Sequence, residues 1–124
     1  MIDTKLWNEM LPFHGERLEI AAEVSDDESA GVIYLHGQLI TENSPTVMAH
    51  LHHVLTVVSL PDTIILDLRG LRYASSTGIG VIAKLLVDLQ HRSVALELAN
   101  VADSVRAIFD LLGFSAFFHF VERR

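Results

Sequence analysis

Leu66-Asp67-Leu68-Arg69-Gly70-Leu71-Arg72-Tyr73-Ala74-Ser75-Ser76-Thr77-Gly78-Ile79-Gly80-Val81 reads as a buried strand, a short loop with three successive hydroxyls, and a Gly-Ile-Gly step into an apolar helix. The hydroxyls stand where the first backbone N–H groups of a helix lack acceptors and the helix dipole favours negative charge. A phosphate at such a position is stabilised by those N–H groups, and it charges a surface that was neutral. The plainer reading is capping. Ser and Thr are preferred N-caps, each contributing about 1 kcal/mol when its oxygen accepts from an open N–H.

Outward from this stretch, apolar periods change between strand and helix. Thr63 to Leu68 is a near-continuous apolar strand of the kind buried on both faces. After Gly78, Ile79, Ile82, Ala83, Leu86 and Leu89 recur at helical spacing, and His91-Arg92 closes the helix. Ser93 to Leu98 alternates as a strand. Val101 to Leu112 is a helix with Val105, Ile108, Phe109 and Leu112 inward and Gly113 as its stop, and Phe117 to Val121 is a final strand. Upstream, residues 17–24 form a half-exposed strand, Ser25 to Ala30 an acidic turn, and Gly31 to Gly37 a second strand in a hairpin with the first. Ser44-Pro45 opens a helix, Ser44 as cap and Pro45 at the first helical position. It runs to about Ser59 with Val47, Leu51, Val54, Leu55 and Val58 inward, and Pro61-Asp62 breaks it.

This order predicts an α/β fold: a mixed, mostly parallel sheet of about five strands packed by about four helices, in one domain over residues 17–124. Residues 1–16 form an N-terminal extension with Ile2, Leu6, Trp7, Met10 and Leu11 at helical spacing and Asp3 or Thr4 as cap. Packing on the domain's own core is its first reading, and docking or dimerisation its second.

Composition narrows the function classes. The chain has 124 residues, half of them apolar and a fifth charged, as expected for one globular domain. It has no cysteine, which removes disulfides, Cys-ligated metals and a thiol nucleophile. A net charge of −7 argues against a nucleic-acid surface. No apolar run approaches the ~20 residues of a membrane span, and the first fifteen residues carry no signal-peptide pattern, which favours a cytoplasmic protein.

The loop Ser75-Ser76-Thr77-Gly78-Ile79-Gly80 resembles the Asp-Ser-Ser/Thr-Gly-Leu-Gly loop of STAS domains, the family of bacterial anti-sigma factor antagonists. A second stretch is similar to the end of that family's fold: Leu96-Glu97-Leu98-Ala99-Asn100, then Val105-Arg106, Ile108-Phe109, Leu112-Gly113-Phe114 and Phe117. The resemblance spans residues 17 to 121 and implies a single STAS-type domain. It also implies a non-enzymatic switch in transcription regulation. Aligned on the two glycines, Ser76 takes the place of the family's phosphorylated serine, and the resemblance implies Ser75, Thr77 and Gly78 as its loop neighbours and Gly80, Lys84 and Asp88 on the partner-binding face. The implied partners are an anti-sigma factor or serine kinase with an ATP-binding fold and a serine phosphatase, with a homodimer left open. The kinase supplies ATP and Mg²⁺, so the chain needs no cofactor.

Two positions depart from the family pattern. Ser75 stands where the family usually carries Asp, and Ile40 of Gly37-Gln38-Leu39-Ile40 stands where a Gly-x-Leu-Asp loop carries its acid. The alternative reading is therefore a STAS docking subunit of a transporter or signalling scaffold with no phosphorylation cycle.

Other chemistries fit less well. Ala74-Ser75-Ser76-Thr77-Gly78 imitates a hydrolase nucleophile elbow, with Asp110 and His119 following, but the chain is short for that fold. Gly78-Ile79-Gly80 lacks the third glycine of a dinucleotide loop, Ala83 standing there. His50, His52 and His53 read as a solvated helix face rather than a metal site, since no cysteine or nearby glutamate completes a ligand set.

Overall fold

Among the described residues, 2–123, the computed structural model holds four α-helices and seven strands in one mixed sheet. In chain order these are α1 (Thr4–Met10), β1 (Phe13–Gly15), β2 (Leu18–Val24), β3 (Ala30–Leu39), α2 (Ser44–Val57), β4 (Thr63–Asp67), β5 (Leu71–Ala74), α3 (Ser76–Gln90), β6 (Ala95–Ala99), α4 (Asp103–Leu111) and β7 (His119–Val121), with a 3-10 turn at Ser115–Phe117. The two strands beyond the expected five are β1 and β5. Both are too short for a period to declare itself, and β5 exposes two consecutive residues, Arg72 and Tyr73.

The sheet runs β1-β2-β3-β4-β6-β7, with β5 pairing β3 off this path. β1 and β2 pair antiparallel, as do β2 and β3, and every other pairing is parallel. The ten-residue β3 serves two short strands end to end, β4 along Ala30–Tyr34 and β5 along Gly37–Leu39, with a register shift between Gly37 and Gln38. Gly37 makes that shift possible. Its φ is +117°, and a Cβ there would meet the Arg17 carbonyl oxygen at 2.1 Å. Leu18, Ile20, Ile33, Leu35, Ile64, Leu66, Leu96 and Leu98 share one buried core with α2 and α3.

The inward face of α2 is as the spacing predicts, with Val47, Leu51, Val54, Leu55 and the following Val58 all buried. Its start is not. Asn43 is the N-cap and Ser44 the first helical residue, its hydroxyl donating back to the Ile40 carbonyl. In α3, Val81 and Leu85 are buried along with Ile79, Ile82 and Leu89, whereas Ala83 and Leu86 are half-buried, so the core face is rotated from the expected one. Leu112 is exposed rather than inward. It lies past the last turn of α4, where Gly113 at φ +76° turns the chain and the Phe114 N–H bonds back to the Phe109 carbonyl. The final strand starts at His119, two residues later than expected.

Residues ahead of β2 join the same core. Asp3 caps α1 by accepting from the Leu6 N–H at 3.0 Å. Ile2, Trp7 and Leu11 are buried, and the Trp7 indole N–H donates to the Glu23 carbonyl at 2.9 Å. Gly31 lies under this indole: a Cβ there would meet Trp7 Cζ2 at 2.3 Å. His50, expected on a solvated face, turns inward, where its Nε2 donates to the Leu11 carbonyl at 2.8 Å. His52 and His53 are exposed.

β4 ends in a buried carboxylate, Asp67, which needs partners to stay ionised there. One oxygen accepts from the Arg69 N–H at 2.9 Å. The other accepts from Asn100 Nδ2 at 3.1 Å and lies 3.4 Å from Arg123 Nη1. Arg123 also donates to the Tyr34 hydroxyl at 3.0 Å, and its backbone N–H donates to Asn100 Oδ1 at 2.9 Å. Burial, aided by the bond to Glu23, pushes the Tyr34 hydroxyl pKa up against the pull of Arg123. These bonds fasten the turn that leads into β5.

The acidic turn before β3 has its own anchor. The Ser29 N–H, the Ser29 hydroxyl and the Ser25 hydroxyl all donate to Asp27, holding its pKa at about 2 against an ordinary 3.8. A carboxyl depressed in the folded state stabilises above its unfolded-state pKa, and loses that contribution as pH falls through the folded one. A carboxyl-detected NMR titration of Asp27 is expected to find its midpoint near 2. A midpoint at 3.8 would mean that the turn is open in solution.

Candidate functional site

The three hydroxyls have different roles. The Ser75 N–H donates to the Leu39 carbonyl at 2.9 Å, continuing the β5–β3 pairing by one residue. Ser75 is then the N-cap of α3, with extended backbone and an Oγ that accepts from the Gly78 N–H at 3.1 Å. The first helical bond runs from the Ile79 N–H to the Ser75 carbonyl at 2.9 Å. Ser76 is therefore the first helical residue, exposed, with its hydroxyl outside the cap. The Ser76 and Thr77 N–H groups lie in the first turn, where no intrahelical acceptor precedes them.

This local order explains how a serine serves at position 75. Asp and Ser are comparable N-caps, so Ser75 can cap the helix as an aspartate would, without the charge. Ser75→Ala is expected to lower stability by about 1 kcal/mol and Ser75→Asp to leave it nearly unchanged. Urea denaturation of the two variants checks this, and an Ala variant as stable as wild type would show that the cap contributes nothing.

Gly78 has a packing reason. A Cβ there would meet the Leu39 carbonyl oxygen at 2.4 Å, so the start of α3 lies directly against the end of β3. The Ile40–Asn43 segment reaches the same place. Asn43 Nδ2 donates to the Gln38 carbonyl at 2.9 Å, Asn43 Oδ1 accepts from the Ile40 N–H at 2.9 Å, and the Thr41 hydroxyl lies 3.4 Å from that of Thr77. Thr41 is a site neighbour that its local sequence does not announce. Only the β3–β5 register brings it within reach, 36 residues away in the chain.

Ser76, Gly80, Lys84 and Asp88 recur every four residues along one ridge of α3. Gly80 is exposed, with no atom within 4 Å of where a Cβ would stand. Lys84 Nζ and Asp88 Oδ1 pair at 2.8 Å, so the two charges of the ridge offset each other. Val87, 45% exposed, adds apolar surface that the inward-face pattern overlooked. The ridge beside Ser76 is thus smooth, weakly polar and neutral.

No acid or base of the imitation elbow is directed to Ser76. Asp110 accepts from the Ser115 hydroxyl and pairs with Arg106, and His119 lies 3.6 Å from Glu97. Among the described residues, no group of three His, Asp or Glu side chains is close enough to hold a metal, and no helix is long and apolar enough to cross a membrane.

No curated protein matches the chain in sequence. Among solved structures, the unphosphorylated form of the anti-sigma factor antagonist SpoIIAA is similar at TM-score 0.69 and 20% identity, over 85% of this chain and 88% of that one. The phosphorylated Bacillus form of SpoIIAA is similar at 0.63 and 19%, over 85% and 91%. An anti-sigma factor antagonist from Mycobacterium paratuberculosis matches at 0.67 and 18%, over 82% and 84%. A sulfate transporter family protein from Wolinella succinogenes matches at 0.62 and 19%, over 77% and 84%. These likenesses establish the shared fold. The family model described as STAS domain matches residues 20–124, beginning inside β2 and taking in both the β5–α3 loop and the ridge that follows it, and the chain belongs to the STAS domain family.

Proposed function

We propose that this protein is a non-enzymatic partner switch of the anti-sigma factor antagonist type. In the unphosphorylated form it binds an anti-sigma factor or serine kinase with an ATP-binding fold through the α3 ridge: Ser76, Gly80, Lys84 and Asp88. Phosphorylation of Ser76 by that partner releases it, and a serine phosphatase restores the binding form. The observation that carries this reading is the division of labour at the helix start. Ser75 supplies the cap, so the Ser76 hydroxyl stands exposed on a neutral ridge, with no structural bond to break when it is modified. A phosphate there adds about −1.5 to −2 charge. It is stabilised intramolecularly by the open first turn while repelling a partner fitted to a neutral surface. The anti-sigma factor antagonists of the same fold give this reading its support, SpoIIAA in both phosphorylation states among them.

The test is direct. Incubation with the cognate kinase and ATP, followed by mass-spectrometric mapping, is expected to place one phosphate on Ser76. Phosphate on Ser75 or Thr77 instead would overturn the assignment.

A further inference from the structure

We infer that the protein has a second site, a cleft for a small phosphate-bearing anion where the β1–β2 turn, the bend of β3 and the β4–β5 turn meet. This open hollow of about 690 Å³ is lined by His14, Arg17, His36, Arg69 and Arg72, with Glu19 as the one carboxylate on its wall. Glu19 is already engaged, its Oε1 lying 2.8 Å from His14 Nδ1. The whole chain has nine Lys and Arg against sixteen Asp and Glu. Three arginines against one glutamate around one hollow reverse that balance locally, and the inference rests first on this reversal.

The hollow is also shaped from below. Its lining includes Gly37, where backbone excludes a side chain, and Gly70, where a side chain would have to displace the exposed His36 ring. A Cβ on Gly70 would meet His36 Nδ1 at 2.1 Å, and one on Gly37 would meet the Arg17 carbonyl oxygen at 2.1 Å. The Gly37 N–H bonds to the Gly70 carbonyl at 2.9 Å, and the Gln38 N–H to the Arg17 carbonyl at 2.8 Å, so the three segments form one braced surface. Arg17 holds a positive φ of 65° on that brace. Arg69 donates through Nη2 to the Arg123 carbonyl, leaving its other guanidinium donors for a ligand. Arg17 and Arg72 are exposed and, among the described residues, pair with no carboxylate.

Guanidinium forks match the oxygens of phosphate in geometry as well as charge. The hollow has the size of small-ligand sites, roughly 300–1,000 Å³. The chain as a whole carries a net charge of −7, which disfavours a long polyanion such as nucleic acid more than a compact anion. No residue of α3 lines the cleft, which reaches β5 only at Arg72, and the inference does not depend on the switch reading.

The test uses sodium pyrophosphate as probe, at about 0.15 M ionic strength to screen diffuse attraction. Calorimetric and amide NMR titrations of the full chain are expected to show saturable binding, with shifts centred on Gly37, Arg69 and Gly70. Binding should weaken at least about tenfold in an Arg17→Gln/Arg72→Gln double variant, the equivalent of one charge-assisted hydrogen bond. Arg92→Gln, outside the cleft, should bind as wild type. Thermal unfolding of each variant confirms folding, and Arg72→Gln alone replaces the double variant if that one does not fold. Absence of saturation, unchanged affinity in the arginine variants, equal response to sulfate, or tighter binding of a glutamate-rich peptide would each overturn the assignment. None of these outcomes bears on Ser76.

Discussion

Ser76→Asp is expected to weaken binding to the kinase or anti-sigma partner by about 1–3 kcal/mol, the scale of an unpaired or repelled group at an interface. Ser76→Ala should bind nearly as wild type and behave as a permanently active form. The asymmetry follows from the position. Alanine removes a small hydroxyl that takes no part in the Ser75 cap. Aspartate adds a negative charge to a ridge whose Lys84 and Asp88 already offset each other. Both variants should fold, because a carboxylate in the first turn of a helix is locally favourable and alanine is a good helix former. Calorimetric titration of the three forms against the partner decides the matter. Equal affinities would make the protein a constitutive docking subunit, with Ser76 no more than a surface residue of α3.

Trp7→Ala is expected to have the largest effect on stability, a loss of about 3–5 kcal/mol for a buried aromatic truncated to alanine. For a domain whose total stability lies around 5–15 kcal/mol, that is a large share. Trp7 is fully buried, covers Gly31 and donates its indole N–H to the Glu23 carbonyl, so truncation opens a cavity and leaves that carbonyl without its partner. Circular dichroism during urea unfolding measures the loss. In the wild type the intrinsic fluorescence of Trp7, the sole tryptophan, reports the same transition. A loss below about 0.5 kcal/mol, the scale of an ordinary surface change, would mean that α1 is an appendage whose apolar stripe is available for docking. The family model begins at residue 20, so this experiment tests whether the preceding segment is part of the folding unit.

The sequence by itself determined the alternation of strands and helices, the inward face of α2 and the chemistry of the hydroxyl loop. Each of these rests on residues within four positions of one another, the range over which periodicity and capping act. Even there the limits were local ones. β1 and β5 are too short to show a period, and Leu112 continues the pattern of α4 one residue past the turn that Gly113 ends. Only the tertiary structure decided which serine caps α3, because the N–H of Ser75 must first be claimed by Leu39 across the β5–β3 pairing. The same pairing sets Thr41 beside Thr77, and the bend at Gly37 gathers Arg17, His36 and Arg69 around one hollow. The bonds that satisfy Asp67 come from Asn100 and Arg123, 33 and 56 residues away. A buried carboxylate at the end of an apolar strand announces in sequence that partners must exist. Which ones they are depends on strand order and register, and those are set by burial across the whole sheet rather than by neighbours in the chain.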